Sequence, residues 1–360
     1  GITTTSNNVA VGYAALTANT TGGFNVAVGK DAMVANTTGA DNVAIGAACL
    51  DANTGGVYNT AVGRSALGAN TTGGYNVAMG VGALEVNTTA SHNTAVGSFS
   101  LDANTTGAQN TAVGRNALSA NTTASNNVAV GYEALLVNTT GAGNVAVGMY
   151  SLDANTTANY NTAIGYQSLS ANTTATGNVA VGYNALAVNT TGANNTALGY
   201  EALDANTTAD RNTALGFQAL TANTTGTRNT AAGFYALATN TTANDNTAFG
   251  DAALYLNTTG TFNVALGRAS LSANTTGSNN TAVGYNCLAS NTDGNNCVAI
   301  GFDALVSSNG ANNIGIGYEA LEDNSTGHSN TAIGYQAGLN QTTALYNVFL
   351  GDRSAGNGVV

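Results

Sequence analysis

A seventeen-residue unit, close to N-T-A-V-G-Y-x-A-L-x-x-N-T-T-G-x-x, repeats along almost the whole 360-residue chain. Its fixed point is a glycine, at Gly12, Gly29, Gly46, Gly63, Gly80, Gly97, Gly114 and Gly131 and onward to Gly301. The step then slips once to sixteen and resumes through Gly317, Gly334 and Gly351. Self-similarity at a short fixed period marks a solenoid, in which each unit is one rung stacked on its neighbours. The pattern predicts an all-β parallel β-solenoid, a β-roll of about twenty-one coils. No composition break or Pro-rich linker divides the chain, so residues 1–360 read as one continuous array, regular over 8–312 and drifting over 313–360.

Number the first Asn of a unit as position 0, so that Asn195 opens N-T-A-L-G-Y-E-A-L-D-A-N-T-T-A-D-R. Positions 0 to 3 are short and rich in β-branched residues, and a glycine follows, which predicts a short strand ended by a turn. Position 3 is apolar (Val11, Val28, Ile45, Val62, Met79, Leu198) and reads as core. Position 2 is Ala (Ala10, Ala27, Ala44, Ala61) and must face the other way. Either another backbone approaches closely there, or Ala avoids crowding at the rung's own corner.

An aromatic often follows the glycine, then a polar residue, Ala or Ser, and Leu, as in Tyr200-Glu201-Ala202-Leu203. Over six residues a single helical turn and a second strand both fit, and the Tyr-to-Leu spacing slightly favours the helical turn. In that case Asn206 would be a left-handed cap. The Asn columns at positions 0 and 11 suit side-chain ladders along the stack.

One Val and one Leu per rung make a thin core against the cost of ordering seventeen residues. Packing of chains side by side is therefore expected, covering the Ala face and some Tyr rings, and the array is expected to be a rod.

Charged residues are 7% of the chain and the net charge is −11, with seven Lys and Arg scattered along it, which excludes the basic face that phosphate binding needs. With 43% hydrophobic residues at fixed positions, disorder is excluded too. No apolar run is long enough for a membrane span. The chain opens GITTTSNN, which reads as a processed or incomplete start. Abundant Asn, Thr and Gly with little charge point to an extracellular, cell-surface or virion location. Cys49 and Cys287 stand where Ala or Ser is usual, and Cys297 replaces a position-0 Asn, so all three read as small buried substitutes rather than catalytic or metal-binding groups.

No convergent acid, base or nucleophile set is visible, and no phosphate loop or calcium nonapeptide, so neither enzyme activity nor a cofactor or metal is expected. His92 and His328 fall in variable rung tails and read as solvated. Asp51, Asp102, Asp153 and Asp204 recur every third rung, as block duplication would produce. The one modification motif is the acceptor sequon. Asn19, Asn36, Asn70, Asn87, Asn104, Asn121, Asn138, Asn155, Asn172, Asn189, Asn206, Asn223, Asn240, Asn257 and Asn274 begin N-T-T, and Asn324 begins N-S-T. A repeated turn in which Asn and Thr bond the local backbone competes with glycosylation, and is favoured.

The segment N-V-A-V-G-x-x-A/S (Asn25 to Ala32, Asn144 to Ser151) resembles the head repeats of trimeric autotransporter adhesins. The longer form at Asn161 to Thr174 is similar to repeats of bacteriophage tail-fibre-like proteins, some of which carry a self-cleaving C-terminal chaperone. The resemblance spans essentially the whole chain and implies a trimeric β-roll in an extracellular fibre or adhesin. The unit is longer than the adhesin repeat, so the loop after Leu has no counterpart there. No chaperone or membrane anchor is present in these residues, and the drift around Gly338 and Tyr346 to Gly351 suggests a transition toward one.

Together these observations predict a non-enzymatic shaft of a fibre or filament that self-associates, as a homotrimer by the resemblance, with end-to-end joining into a filament as a further option. One alternative is an adhesin gripping cell-surface glycans with its repeats. A second is an ice-binding solenoid using Thr ladders, which the placement of the Thr pair in a turn disfavours.

Overall fold

A computed structural model describes residues 7–354, and among them there is no helix. The chain divides into two compact units, Gly1–Asn178 and Val179–Val360. The first carries ten three-residue strands, β1 (Val9–Val11) through β10 (Thr162–Ile164). The second carries eleven, β11 (Val179–Val181) through β21 (Val348–Leu350). Within each unit every strand pairs in parallel with the next, seventeen residues on, as Val26↔Val43, Ala27↔Ala44 and Val28↔Ile45. The single sixteen-residue step falls in the second unit, where Val298 pairs with Ile314. Each unit is thus a parallel β-solenoid with one strand per rung.

The segment after the glycine is neither the helical turn nor a second strand. Left-handed residues alternate through it, at Asn116 (φ 56°) and Leu118 (φ 55°) in one rung and at Glu201 (φ 50°) and Leu203 (φ 55°) in another. The left-handed residues of that last rung include Arg211 (φ 60°) but not Asn206, so the expected cap is displaced. A left-handed Leu costs roughly 1–2 kcal/mol, and the stack offsets that cost. Asn116 N donates back to Ser98 O (3.1 Å), while Leu118 N and Ala120 N donate forward to Ala134 O (3.0 Å) and Leu136 O (3.1 Å). A helix would spend the same donors inside its own rung and leave the neighbouring carbonyls unpaired.

The fixed glycine is required by two constraints at once. Gly63 sits at φ 133°, and a Cβ there would collide with the backbone of Gly80 in the next rung. Gly12, Gly29, Gly46, Gly80, Gly97, Gly114 and Gly131 share this conformation, with φ between 131° and 143°.

The core keeps the expected Leu, but on the strand it is the reverse of the expected one. Position-2 Ala points inward and is fully buried, as at Ala27, Ala44 and Ala61, and so is position-8 Leu, as at Leu50 and Leu118. Position-3 residues point outward, with Ile45 42% and Leu198 48% exposed. The close approach that keeps position 2 small comes from the return segments of the rung itself and of the rung before it. At Gly315, which replaces this Ala, a Cβ would lie 2.9 Å from Leu305 Cγ and 3.0 Å from Ala320 O. An Ala face therefore does not remain for a partner chain to cover.

The terminal drift obeys the same volume rule. Gly338 stands where Leu is usual and Phe349 where Ala is usual, and a Cβ on Gly338 would lie 2.9 Å from Phe349 Cδ2. The ring fills the space that the missing Leu leaves, and β20 (Thr331–Ile333) still pairs with β21. The solenoid continues through this segment.

Replacing Leu118 by Ala is expected to cost about 2–5 kcal/mol, as in other buried Leu truncations. Val113→Ala, on the outward face, should cost less than about 1 kcal/mol at low protein concentration. Urea unfolding of the two variants checks the inversion, and equal losses would contradict it.

Candidate functional site

The residues singled out by sequence converge on the interior. Asn at positions 0 and 11 is buried in rung after rung, and the two columns share one acceptor. Gly39 O receives Asn25 Nδ2 at 2.9 Å and Asn36 Nδ2 at 3.0 Å. Gly56 O receives Asn42 Nδ2 at 2.8 Å and Asn53 Nδ2 at 3.2 Å. The remaining capacity runs from rung to rung. Asn36 Nδ2 also donates to Asn19 Oδ1 (2.9 Å), and Asn25 Oδ1 accepts from Asn42 N (3.0 Å). Thr at position 12 adds an outer strand to this ladder, as Thr105 Oγ1 donates to Thr122 O at 3.0 Å.

This geometry bears on the sequons. The sixteen asparagines that begin N-T-T or N-S-T, from Asn19 to Asn274 and Asn324, are buried, whereas the three further acceptor triplets, at Asn194 and Asn279 (N-N-T) and Asn340 (N-Q-T), have an exposed Asn. The buried Nδ2 atoms bond the position-14 carbonyl, as Asn121 bonds Ala124 O (3.0 Å) and Asn206 bonds Ala209 O (3.1 Å). A sugar on that nitrogen would break the bond and need room that the stack does not have. The geometry supports the turn over the glycan.

The sixteen-residue rung shows how strictly the ladder is kept. Ser308 takes the position-11 place, and Asn309 Oδ1 substitutes for a backbone carbonyl, accepting from Thr292 N (2.7 Å), Thr292 Oγ1 (2.9 Å) and Asp293 N (3.1 Å). Ser308 has no amide to offer the rung before it, and Asn291 Oδ1 is left without a partner. Cys297 keeps the backbone part of its column, its N donating to Asn280 Oδ1 at 2.9 Å. All three cysteines are free and buried. Burial pushes the Cys49 thiol up to about 12 and Cys287 to about 11, which makes them inert as nucleophiles.

On the outside, aromatic side chains form columns that the sequence did not reveal as stacks. Tyr183, Tyr200, Phe217 and Phe234 lie with centroids 5.0 to 5.2 Å apart and planes within 18° of parallel. Tyr285, Phe302, Tyr318 and Tyr335 repeat the arrangement at 5.2 to 5.3 Å. Arg268 lies 5.7 Å over the ring of Tyr285. Stacked rings cover one another's faces and turn their edges outward, so they do not present the flat faces on which sugars pack. The histidines join such contacts. His92 stacks on Tyr75 at 5.0 Å, and His328 meets Tyr346 edge-on at 5.3 Å.

The recurring aspartates border shallow surface. Asp51, Ser65, Gly68 and Glu85 line an open cleft of about 390 Å³, which exists because Gly68 leaves a gap between two carboxylates. Burial raises the carboxyl pKa of Asp51, Asp102, Asp153 and Asp204. Among the described residues no group of three or more His, Cys, Asp or Glu is placed to hold a metal.

The third surface is the outward side of the strands, lined by Val or Thr at position 1 and Val, Ile or Leu at position 3. A side chain whose burial is worth about 1.5–3 kcal/mol at about 25 cal/mol per Å² presents roughly 60–120 Å². Position 3 is about two-fifths outside in rungs such as those of Ile45 (42%) and Ile164 (39%), and position 1 is less exposed, so position 3 of ten rungs leaves on the order of 250–500 Å² of apolar surface, the size of the largest patch on a usual monomer.

Compared with known proteins, the chain matches no protein-family model and no curated protein.

Asn121→Ala removes the donor to Asn104 Oδ1 and Ala124 O and the acceptor of Asn138 Nδ2. At about 1–3 kcal/mol for each buried group left unpaired, a loss of about 2–4 kcal/mol is expected in denaturant titration. The aspartates give a pH test. Their folded pKa lies above the unfolded value, so the stability they allow is full below the unfolded pKa and is lost as pH rises through the folded one. Thermal stability should therefore increase from pH 7 toward pH 4, and Asp102→Asn should flatten that slope. A melting temperature that falls over this range would refute the assignment.

Proposed function

We propose that the protein is a non-enzymatic structural element, a stiff shaft within an extracellular fibre or filament of the cell surface or virion. The observation that carries this reading is where the hydrogen bonds go. Strand amides, alternate turn amides, position-11 Asn side chains and position-12 Thr hydroxyls all donate to the adjacent rung, while the Asn side chains also tie each rung to itself. Such a stack resists bending and local opening, because displacing one rung breaks bonds along its entire perimeter. Its interior is filled by Ala, Leu and Asn. The resemblance to adhesin-head and tail-fibre repeats points the same way.

The sixteen buried N-T-T and N-S-T sequons are proposed to act as turn and ladder residues and to carry no sugar. Small-angle scattering and electron microscopy of the purified chain test the shaft, with elongated particles expected. A compact particle with a radius of gyration near roughly 20 Å, the value for a globule of this length, would overturn it. With the exposed sequons removed by Asn194→Gln, Asn279→Gln and Asn340→Gln, intact mass after secretion from a glycosylating host should match the bare chain of about 35.5 kDa. Added hexose masses would restore the glycan reading.

A further inference from the structure

The two kinds of outer surface differ in one respect that a freely solvated chain does not require. The seven Lys and Arg and the eighteen Asp and Glu all fall in the turns, at positions 5, 6, 9, 10, 13, 15 and 16. None occurs in any of the twenty-one strands, although positions 1 and 3 of those strands face outward. Solvated sheet faces carry varied polar and charged residues. This one is held to Val, Thr, Ile and Leu with a few other apolar residues, and its side chains remain partly exposed.

We propose that the outward strand face is an interaction surface, and that its partner is a second copy of this chain packed sheet against sheet. Three observations select that occupant. A chain of net charge −11 repels its own copies wherever acidic turns meet, and the uncharged strand face is where two copies approach without that repulsion. A basic partner, by contrast, would be drawn to the acidic turns. The face is ridged by one pair of side chains per rung, and another copy offers ridges of the same pitch, about 4.8 Å for parallel strands. Two such faces can interdigitate as the layers of a sandwich do, about 10 Å apart. Finally, the uncharged face recurs in every strand, so the area two copies can cover grows with each rung paired and is not limited to one site. The proposal rests on the shaft reading, since pairing along the strand face thickens a shaft and leaves its ends open.

Sedimentation velocity of the full chain at micromolar concentration tests it, with Val96→Lys, Val113→Lys and Val130→Lys combined in one variant. The native chain is expected to sediment as a dimer or larger, and the variant as the 35.5 kDa monomer, with self-association weakened at least tenfold. These side chains face outward, so circular dichroism should be unchanged. Thr106→Lys with Thr123→Lys, on the exposed turn edge, should assemble like the native chain. A Val113→Cys variant should in addition form a disulfide between copies, since Cys49, Cys287 and Cys297 are buried. A native chain that sediments as an elongated monomer would overturn the pairing and leave the shaft intact. Assembly unaffected by the three lysines would overturn the assigned face. A monomer with thermal hysteresis that the lysines abolish would overturn it too, and assign the face to ice.

Discussion

The structure depends on one carbonyl per rung, at position 14, which accepts two buried asparagine side chains. Gly39 O, held by Asn25 and Asn36, ties the start of one strand to the turn that leads into the next. A buried amide without partners is costly, so each Asn fixes its neighbours' positions as well as its own. Because the same two side chains also reach the adjacent rung, the register of the stack is set from inside. Apolar packing alone would leave it free to slip, since Leu on Leu has no preferred partner along the column. The defect rung makes the same point. Where a turn residue is missing, Asn309 supplies an oxygen in place of the lost carbonyl, and the orphaned oxygen of Asn291 marks where Ser308 breaks the column.

That polar interior explains the exterior. With Asn filling two of the six buried positions, the core has room for Leu and small residues only. The β-branched residues of the strand are then on the outside, half-covered by their neighbours above and below. An apolar, charge-free face is a consequence of this division, and its exposure gives the chain a surface that water does not satisfy. The aromatic columns serve the stack differently. Their rings cover one another and expose edges, adding contact between rungs while presenting little to a ligand.

Much of the architecture was legible in the chain. The period fixed the stacking, the slip fixed where one rung is short, and the glycine column fixed where the backbone turns. The Asn columns were legible as ladders as well. Two things were not. Val11, Val28 and Ile45 read as core because they are the larger residues of the strand, whereas the interior admits only the Ala between them. The six residues after each glycine read as a helical turn or a second strand from spacing alone, since a left-handed Leu such as Leu118 has no signature in composition.

The sequence by itself determined that identical segments pile up in register and where each rung bends, because a fixed period forces equivalent residues into files. Only the tertiary structure decided which side of the strand is inside and which hand the turn residues take. Both follow from neighbours. A rung's inward side is chosen by what the return segments of its own and the neighbouring rung can accommodate, and its backbone directions are chosen by where the adjacent rungs place their carbonyls.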